Sequence, residues 1–168
     1  MSIRKSALSI IAGVTMGLLM GAGAIYILGG EIDFNKPEDK RIFLWVSSRL
    51  NVDPGEMPEV HYKSDKEIEG MFALSQANML LKFIDDSKKR GIGDKEIKAE
   101  ILTFLKAVMG MYLPEDGIIL IRKSMSRCEQ KSTLAHEFVH HFQVKYGWKI
   151  EEHTPQLIKE TYRKEMCK

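Results

Sequence analysis

The chain has 168 residues, enough for about one domain. Lys and Arg number 25 against 23 Asp and Glu, and a net charge of +2 argues against a nucleic-acid binder. A composition of 44% hydrophobic and 29% charged residues excludes a largely disordered chain, and two cysteines exclude a disulfide-scaffold miniprotein.

The first predicted element lies in an uncharged stretch, Ser6 to Gly30. Its apolar core, residues 7–28, is 22 residues long, and a helix of that length spans a bilayer core of ~30 Å. Arg4 and Lys5 precede the run and Glu31 and Asp33 follow it. The positive-inside bias then keeps the N-terminus in the cytoplasm and sends the rest of the chain to the periplasmic side. Ala22-Gly23-Ala24 also fits a signal-cleavage site, so secretion after a cut near Ala24 is the alternative to an uncleaved anchor. Gly17 and Gly21 form a weak small-xxx-small pattern for helix pairing.

Residues 31–37 read as a linker. Pro37 opens a helix over about 38–50, with Ile42, Phe43, Val46 and Leu50 on one face. A turn at 51–55 leads to a strand over about 57–63, and Ser64 with Glu67 makes a capping box for a helix to about Leu74. Two further helices follow, over about 76–89 and 95–106. The stretches 107–113 and 117–123 flank Pro114-Glu115-Asp116-Gly117 and read as a β-hairpin. Ser126 with Glu129 forms a second capping box, for a helix running to about Tyr146 and ending at Gly147. Thr154-Pro155 starts a last helix, 155–166, as N-cap and first-turn residue.

The chemistry concentrates in His136-Glu137-Phe138-Val139-His140, an HExxH motif in the middle of a helix. Histidines four apart project from one helix face and can share a tetrahedral Zn²⁺, one per chain. The intervening Glu137 is placed to take a proton from zinc-bound water rather than to ligate. A third protein ligand is required. The pattern with a third histidine fails, because Tyr146 stands where that histidine would be. Glu160, on the last helix, is the leading candidate, because an antiparallel helix pair would bring it alongside the motif. Glu151, Glu152 and His153 in the preceding loop and Glu165 near the chain end are its rivals, and pairing with Lys164 on a helix surface is the plain alternative role of Glu160.

His136, Glu137 and His140 with Glu160-Thr161-Tyr162 on a later helix resemble the gluzincin type of zinc metallopeptidase. The closer likeness is to minimal bacterial domains with an HExxHxxQ helix, and it covers about residues 57–166. Those domains commonly carry Glu-Ala-Tyr around the third ligand, where this chain has threonine at 161. The helices between 75 and 106 look like an insertion relative to the shortest members. The resemblance implies that His136, His140 and Glu160 hold zinc and that Glu137 is the general base.

Tyr162, Tyr112, His153 and Tyr146 are candidates for a second oxyanion donor or a substrate contact. Gly117 to Arg122 is either the edge strand that pairs with an extended substrate or an ordinary core strand. His141 reads as a surface or outer-shell residue and His61 as structural, while Gln143 can serve substrate, a ligand or packing. Outside the cytoplasm Cys128 and Cys167 can close a 40-residue loop, the alternatives being free thiols or an intermolecular bridge.

The expectation is therefore an α+β chain. Residues 1–30 form a membrane segment and 31–37 a linker. Residues 38–168 form a small zincin-like domain, with a short antiparallel sheet packed on the HExxH helix and a C-terminal helix. The expected function is a membrane-anchored zinc metallopeptidase acting on a peptide or protein substrate. The alternative is a non-enzymatic envelope protein of the same fold, zinc-stabilised or metal-free, that binds a membrane or periplasmic partner.

Overall fold

The computed structural model describes residues 37–167. The membrane segment expected over 7–28, the cleavage site near Ala24 and most of the linker lie outside them. Among the described residues no helix is long and apolar enough to cross a membrane.

The described chain is α+β, with six helices and three strands. In order these are α1 (Pro37–Leu50), β1 (Glu59–Lys63), α2 (Asp65–Ser75), α3 (Ala77–Lys89), α4 (Asp94–Ala107), β2 (Gly110–Leu113), β3 (Ile118–Arg122), α5 (Arg127–Lys145) and α6 (His153–Met166). They divide into two compact units: Asp65–Val108 on one hand, and residues 37–64 with 109–167 on the other.

The unit of Asp65–Val108 is all helical. Its apolar residues recur at helical spacing, so Leu80 and Ile84 of α3 meet Ile97, Ile101 and Leu105 of α4, with Ala73 of α2 completing the cluster. Gly91, at φ +82°, turns the chain between α3 and α4 in a conformation that a side chain would resist.

The second unit carries the HExxH helix. Its sheet has the order β1-β3-β2. β2 and β3 are the expected antiparallel hairpin, with Met111 opposite Leu120. β1 instead pairs parallel to β3, Val60 against Ile119, so the sheet is mixed rather than antiparallel. The parallel pairing also decides between the two readings of Gly117–Arg122, in favour of a core strand. Both sides of β3 are taken, it is the central strand, and its run Ile119-Leu120-Ile121 is buried as a central strand requires.

α5 lies on this sheet through Leu134, Ala135, Phe138, Val139 and Phe142, all buried. α1 covers its other flank, where the Phe43 ring stacks on Phe142 with centroids 5.1 Å apart and tilts against Phe138 at 5.0 Å. Burying each such ring is worth about 1.5–3 kcal/mol. Gly110 lets the helix approach the sheet closely: a Cβ there would stand 2.9 Å from both the Leu120 carbonyl oxygen and the Thr133 methyl.

The ends of α5 are fixed chemically. The Ser126 hydroxyl accepts from the Glu129 N–H at 3.3 Å, and the Glu129 carboxylate accepts from the Ser126 N–H at 3.2 Å. At the far end Gly147 adopts φ +63°, Trp148 N–H donates to the Gln143 carbonyl at 2.8 Å and Gly147 N–H to Val144 at 3.1 Å, a Schellman motif. α6 then returns along α5, and a disulfide between Cys128 and Cys167, with Cα atoms 5.7 Å apart, joins the start of one to the end of the other.

Candidate metal centre

His136 and His140 sit one turn apart on α5, with their Nε2 atoms 3.2 Å from each other. The third group beside them is Glu152. One of its carboxylate oxygens is 3.3 Å from His136 Nε2 and the other 3.4 Å from His140 Nε2. Among the described residues these are the three that offer metal-ligand atoms within 4.8 Å of one another. In a tetrahedral zinc site with bonds of 2.0–2.1 Å, ligand atoms stand about 3.3–3.4 Å apart along each edge. The two carboxylate distances run to different oxygens of Glu152, so the three side chains converge as a metal-capable group without already forming one tetrahedral face.

Glu160 does not join this group. Its side chain is exposed and accepts from Gln156 Nε2 at 3.1 Å, one turn back on α6. The reason is helix phase. Pro155, Ile158 and Tyr162 are the buried residues of α6 and define its inward face, and Glu160 lies about 200° around from both Ile158 and Tyr162. Glu165 is likewise engaged elsewhere, 2.5 Å from the Arg49 guanidinium.

Glu152 reaches the histidines because the loop after α5 doubles back tightly, and Gln143 holds that reversal. Its side chain is buried. Its Oε1 lies 2.9 Å from His140 Nδ1, and its amide donates to the Glu151 carbonyl at 3.1 Å. The first contact leaves Nδ1 carrying the proton and Nε2 free to ligate. The second pins the residue next to Glu152. Glu151 completes the loop by accepting from the N–H groups of His153 at 2.6 Å and Thr154 at 3.0 Å. A carboxylate thus caps α6 in place of the expected Thr154, and the helix begins two residues earlier, at His153. The Thr154 contact draws the Glu151 carboxyl below its usual range.

The electrostatics suit neutral ligands. Burial, with smaller effects from the charges of His140 and Lys159, lowers His136 to about 4, so its imidazole is neutral at pH 7. Its Nδ1 is buried without a hydrogen-bonded partner, and the nearby Pro155 carbonyl opposes the shift. Glu137, on the next position of α5, is buried. Burial and then the Glu152 charge raise it to about 8, while the charge of Lys159 and the main-chain N–H of Tyr112 pull it back. Because β3 occupies one side of β2, that N–H shows the other side of β2 facing Glu137.

The candidate oxyanion donors are placed as follows. Tyr162 is buried, its ring edge-on to Trp45 at 5.2 Å on the α1 side of the helix. The Tyr112 hydroxyl is 3.2 Å from His141 Nδ1. The Tyr146 hydroxyl donates to the Asp53 carbonyl at 2.7 Å. His153 is exposed at the start of α6. His141 packs between Phe43 and Tyr112, and burial lowers it to about 4, which makes it a neutral packing residue. The sequence reading passed over Lys159, whose charge acts on both His136 and Glu137. Its signal was its spacing, four residues beyond Pro155 and so on the same face of α6. No family model, curated protein or solved structure matches this chain.

Proposed function

We propose that this chain is a zinc-dependent metallopeptidase of minimal gluzincin type, anchored to a membrane by residues 7–28 with its metal centre on the extracytoplasmic side. The observation that carries the reading is the convergence of His136, His140 and Glu152, whose ligand atoms lie within 4.8 Å of one another, beside a buried carboxyl on the same helix as the histidines. His136, His140 and Glu152 would hold the ion. Zinc there supplies Lewis acidity, lowers the pKa of a bound water towards ~7 and favours the ionised form of Glu137.

Glu137 then accepts the proton of the attacking water and delivers it to the amine nitrogen as the C–N bond breaks. Gln143 keeps the His140 tautomer that leaves Nε2 free. The open side of β2, next to Glu137, offers main-chain groups to an extended peptide, one of the two roles the sequence reading left open for β3.

The test is metal content and turnover of the full chain in detergent micelles. About one zinc per chain and hydrolysis of self-quenched fluorescein-casein are expected, with Glu137→Gln keeping the zinc and losing the hydrolysis. A wild-type protein that takes up no zinc from a replete buffer refutes the proposal. A zinc-loaded wild-type protein that leaves casein intact is the binding protein of the alternative reading, and hydrolysis undiminished in Glu137→Gln refutes Glu137 as the base.

A further inference from the structure

Lys159 is a half-buried cation whose charge acts on the carboxylates of Glu137 and Glu129 without pairing directly with either. Among the described residues its one contact at hydrogen-bond range is the Met109 sulfur, 3.4 Å from Nζ, and no carboxylate comes within ion-pair distance. Met109 directly precedes β2, and its sulfur is also 4.0 Å from the Thr133 hydroxyl, one turn before Glu137 on α5. Lys159 stands one turn beyond Pro155, whose carbonyl lies beside His136. The ammonium therefore lies beside the start of β2, where Met109 also meets Thr133 of α5. Its charge acts on both Glu137 and His136. Meanwhile the hydroxyls of Tyr112 and Tyr146 are engaged elsewhere, and Tyr162 is buried against Trp45.

We propose that Lys159 is the second electrophile of the centre, an ammonium that donates a hydrogen bond to the oxyanion formed when water adds to the scissile carbonyl. The inference rests on the zinc site proposed above and adds to it a catalytic residue on α6. The proton balance is simple. Water loses its proton to Glu137 as the C–O bond forms. The carbonyl oxygen takes up the negative charge and is met by Lys159, which stays protonated throughout. The carbonyl re-forms as the C–N bond breaks, and the amine leaves with the proton from Glu137. A preorganised donor of this kind is worth about 100-fold or more in rate, because it meets charge only where charge develops.

The probe is a phosphoramidate dipeptide, whose tetrahedral anionic phosphorus mimics the attacked carbonyl. Its binding to the zinc-loaded full chain is measured by calorimetry for wild type, Lys159→Met and Lys159→Arg, with zinc content determined alongside. Lys159→Met is expected to keep one zinc per chain and to bind the probe about 100-fold more weakly, with Lys159→Arg recovering most of the loss. In casein hydrolysis the methionine variant should lose kcat and keep KM. Probe affinity within threefold of wild type in Lys159→Met, loss of its zinc, or a wild-type chain that does not bind the probe overturns the inference. Probe binding that depends on Lys159 in a wild-type chain without casein turnover supports the anion-binding role of Lys159 and refutes the peptidase reading instead.

Discussion

Replacing Gln143 with leucine removes the one side chain that touches both arms of the metal centre. Three contacts disappear, the 2.9 Å bond to His140 Nδ1 and the amide's bonds to the Glu151 carbonyl at 3.1 Å and carboxylate at 3.3 Å. Leucine has nearly the same volume, so no cavity opens, and the effect is polar. His140 loses the acceptor that fixes its tautomer, and removal of such an outer partner commonly weakens metal binding 10–100-fold, or about 1.4–2.7 kcal/mol. The buried Nδ1–H and carbonyl left without a partner cost a further ~1–3 kcal/mol in the fold itself. Gln143→Glu separates the two arms, because it keeps an acceptor for His140 while losing the donor to Glu151. Competition against a chromophoric zinc chelator measures the first quantity and urea unfolding of the metal-free chain the second. Zinc affinity of Gln143→Leu within threefold of wild type would refute the argument that this bridge sets the site.

The choice of third ligand is checked by Glu152→Ala and Glu160→Ala in the same competition assay: the first should lose more than the ~10–100-fold typical of an outer-shell change, and the second should match wild type. Opening the disulfide by Cys128→Ser with Cys167→Ser frees a loop of about 40 residues. The chain-entropy relation puts the loss near 4 kcal/mol, read from the urea midpoint of the two proteins. Glu38 ties the start of α1 to α5 through Lys131 and Arg127, at 2.9 Å for the arginine, and these partners hold its carboxyl below the usual range. A lowered folded-state pKa gives stability that is present above the unfolded value and is lost as the pH falls through the folded one. The unfolding free-energy gap between wild type and Glu38→Gln, read from urea unfolding, should therefore be small at pH 7, under about 1 kcal/mol, and should close on acidification below pH 4.

Local patterns carry most of the elements. The capping box at Ser126 and the glycine at 147 bound the HExxH helix within a residue, and the Pro-Glu-Asp-Gly turn marks the β2-β3 hairpin. What escapes sequence reasoning depends on distant partners. β3 becomes central through a parallel partner, β1, that lies some sixty positions earlier and carries no local signature of that pairing. Glu152 rather than Glu160 stands beside the histidines through a loop reversal held by a glutamine side chain, and loop geometry of that kind has no period to read. The exposure of Glu160 was nevertheless open to inspection, since Pro155, Ile158 and Tyr162 already mark the inward stripe of α6 and exclude it. Tyr162 stands on that stripe, which is why it serves the core against Trp45 rather than the metal centre.

The Cys128–Cys167 bond makes a covalent ring that encloses His136, Glu137, His140, Gln143, Glu152 and Lys159. Its two halves are the helices α5 and α6, joined at one end by peptide and at the other by sulfur. A peptidase that cuts its own exposed Trp148–Ile150 loop would not fall apart, because the ring becomes a pair of tied strands rather than two molecules. Such a nicked protein migrates as one species before reduction and as two after it. Retention of zinc in the nicked species would then measure how much of the centre is held by the sulfur link rather than by an unbroken backbone.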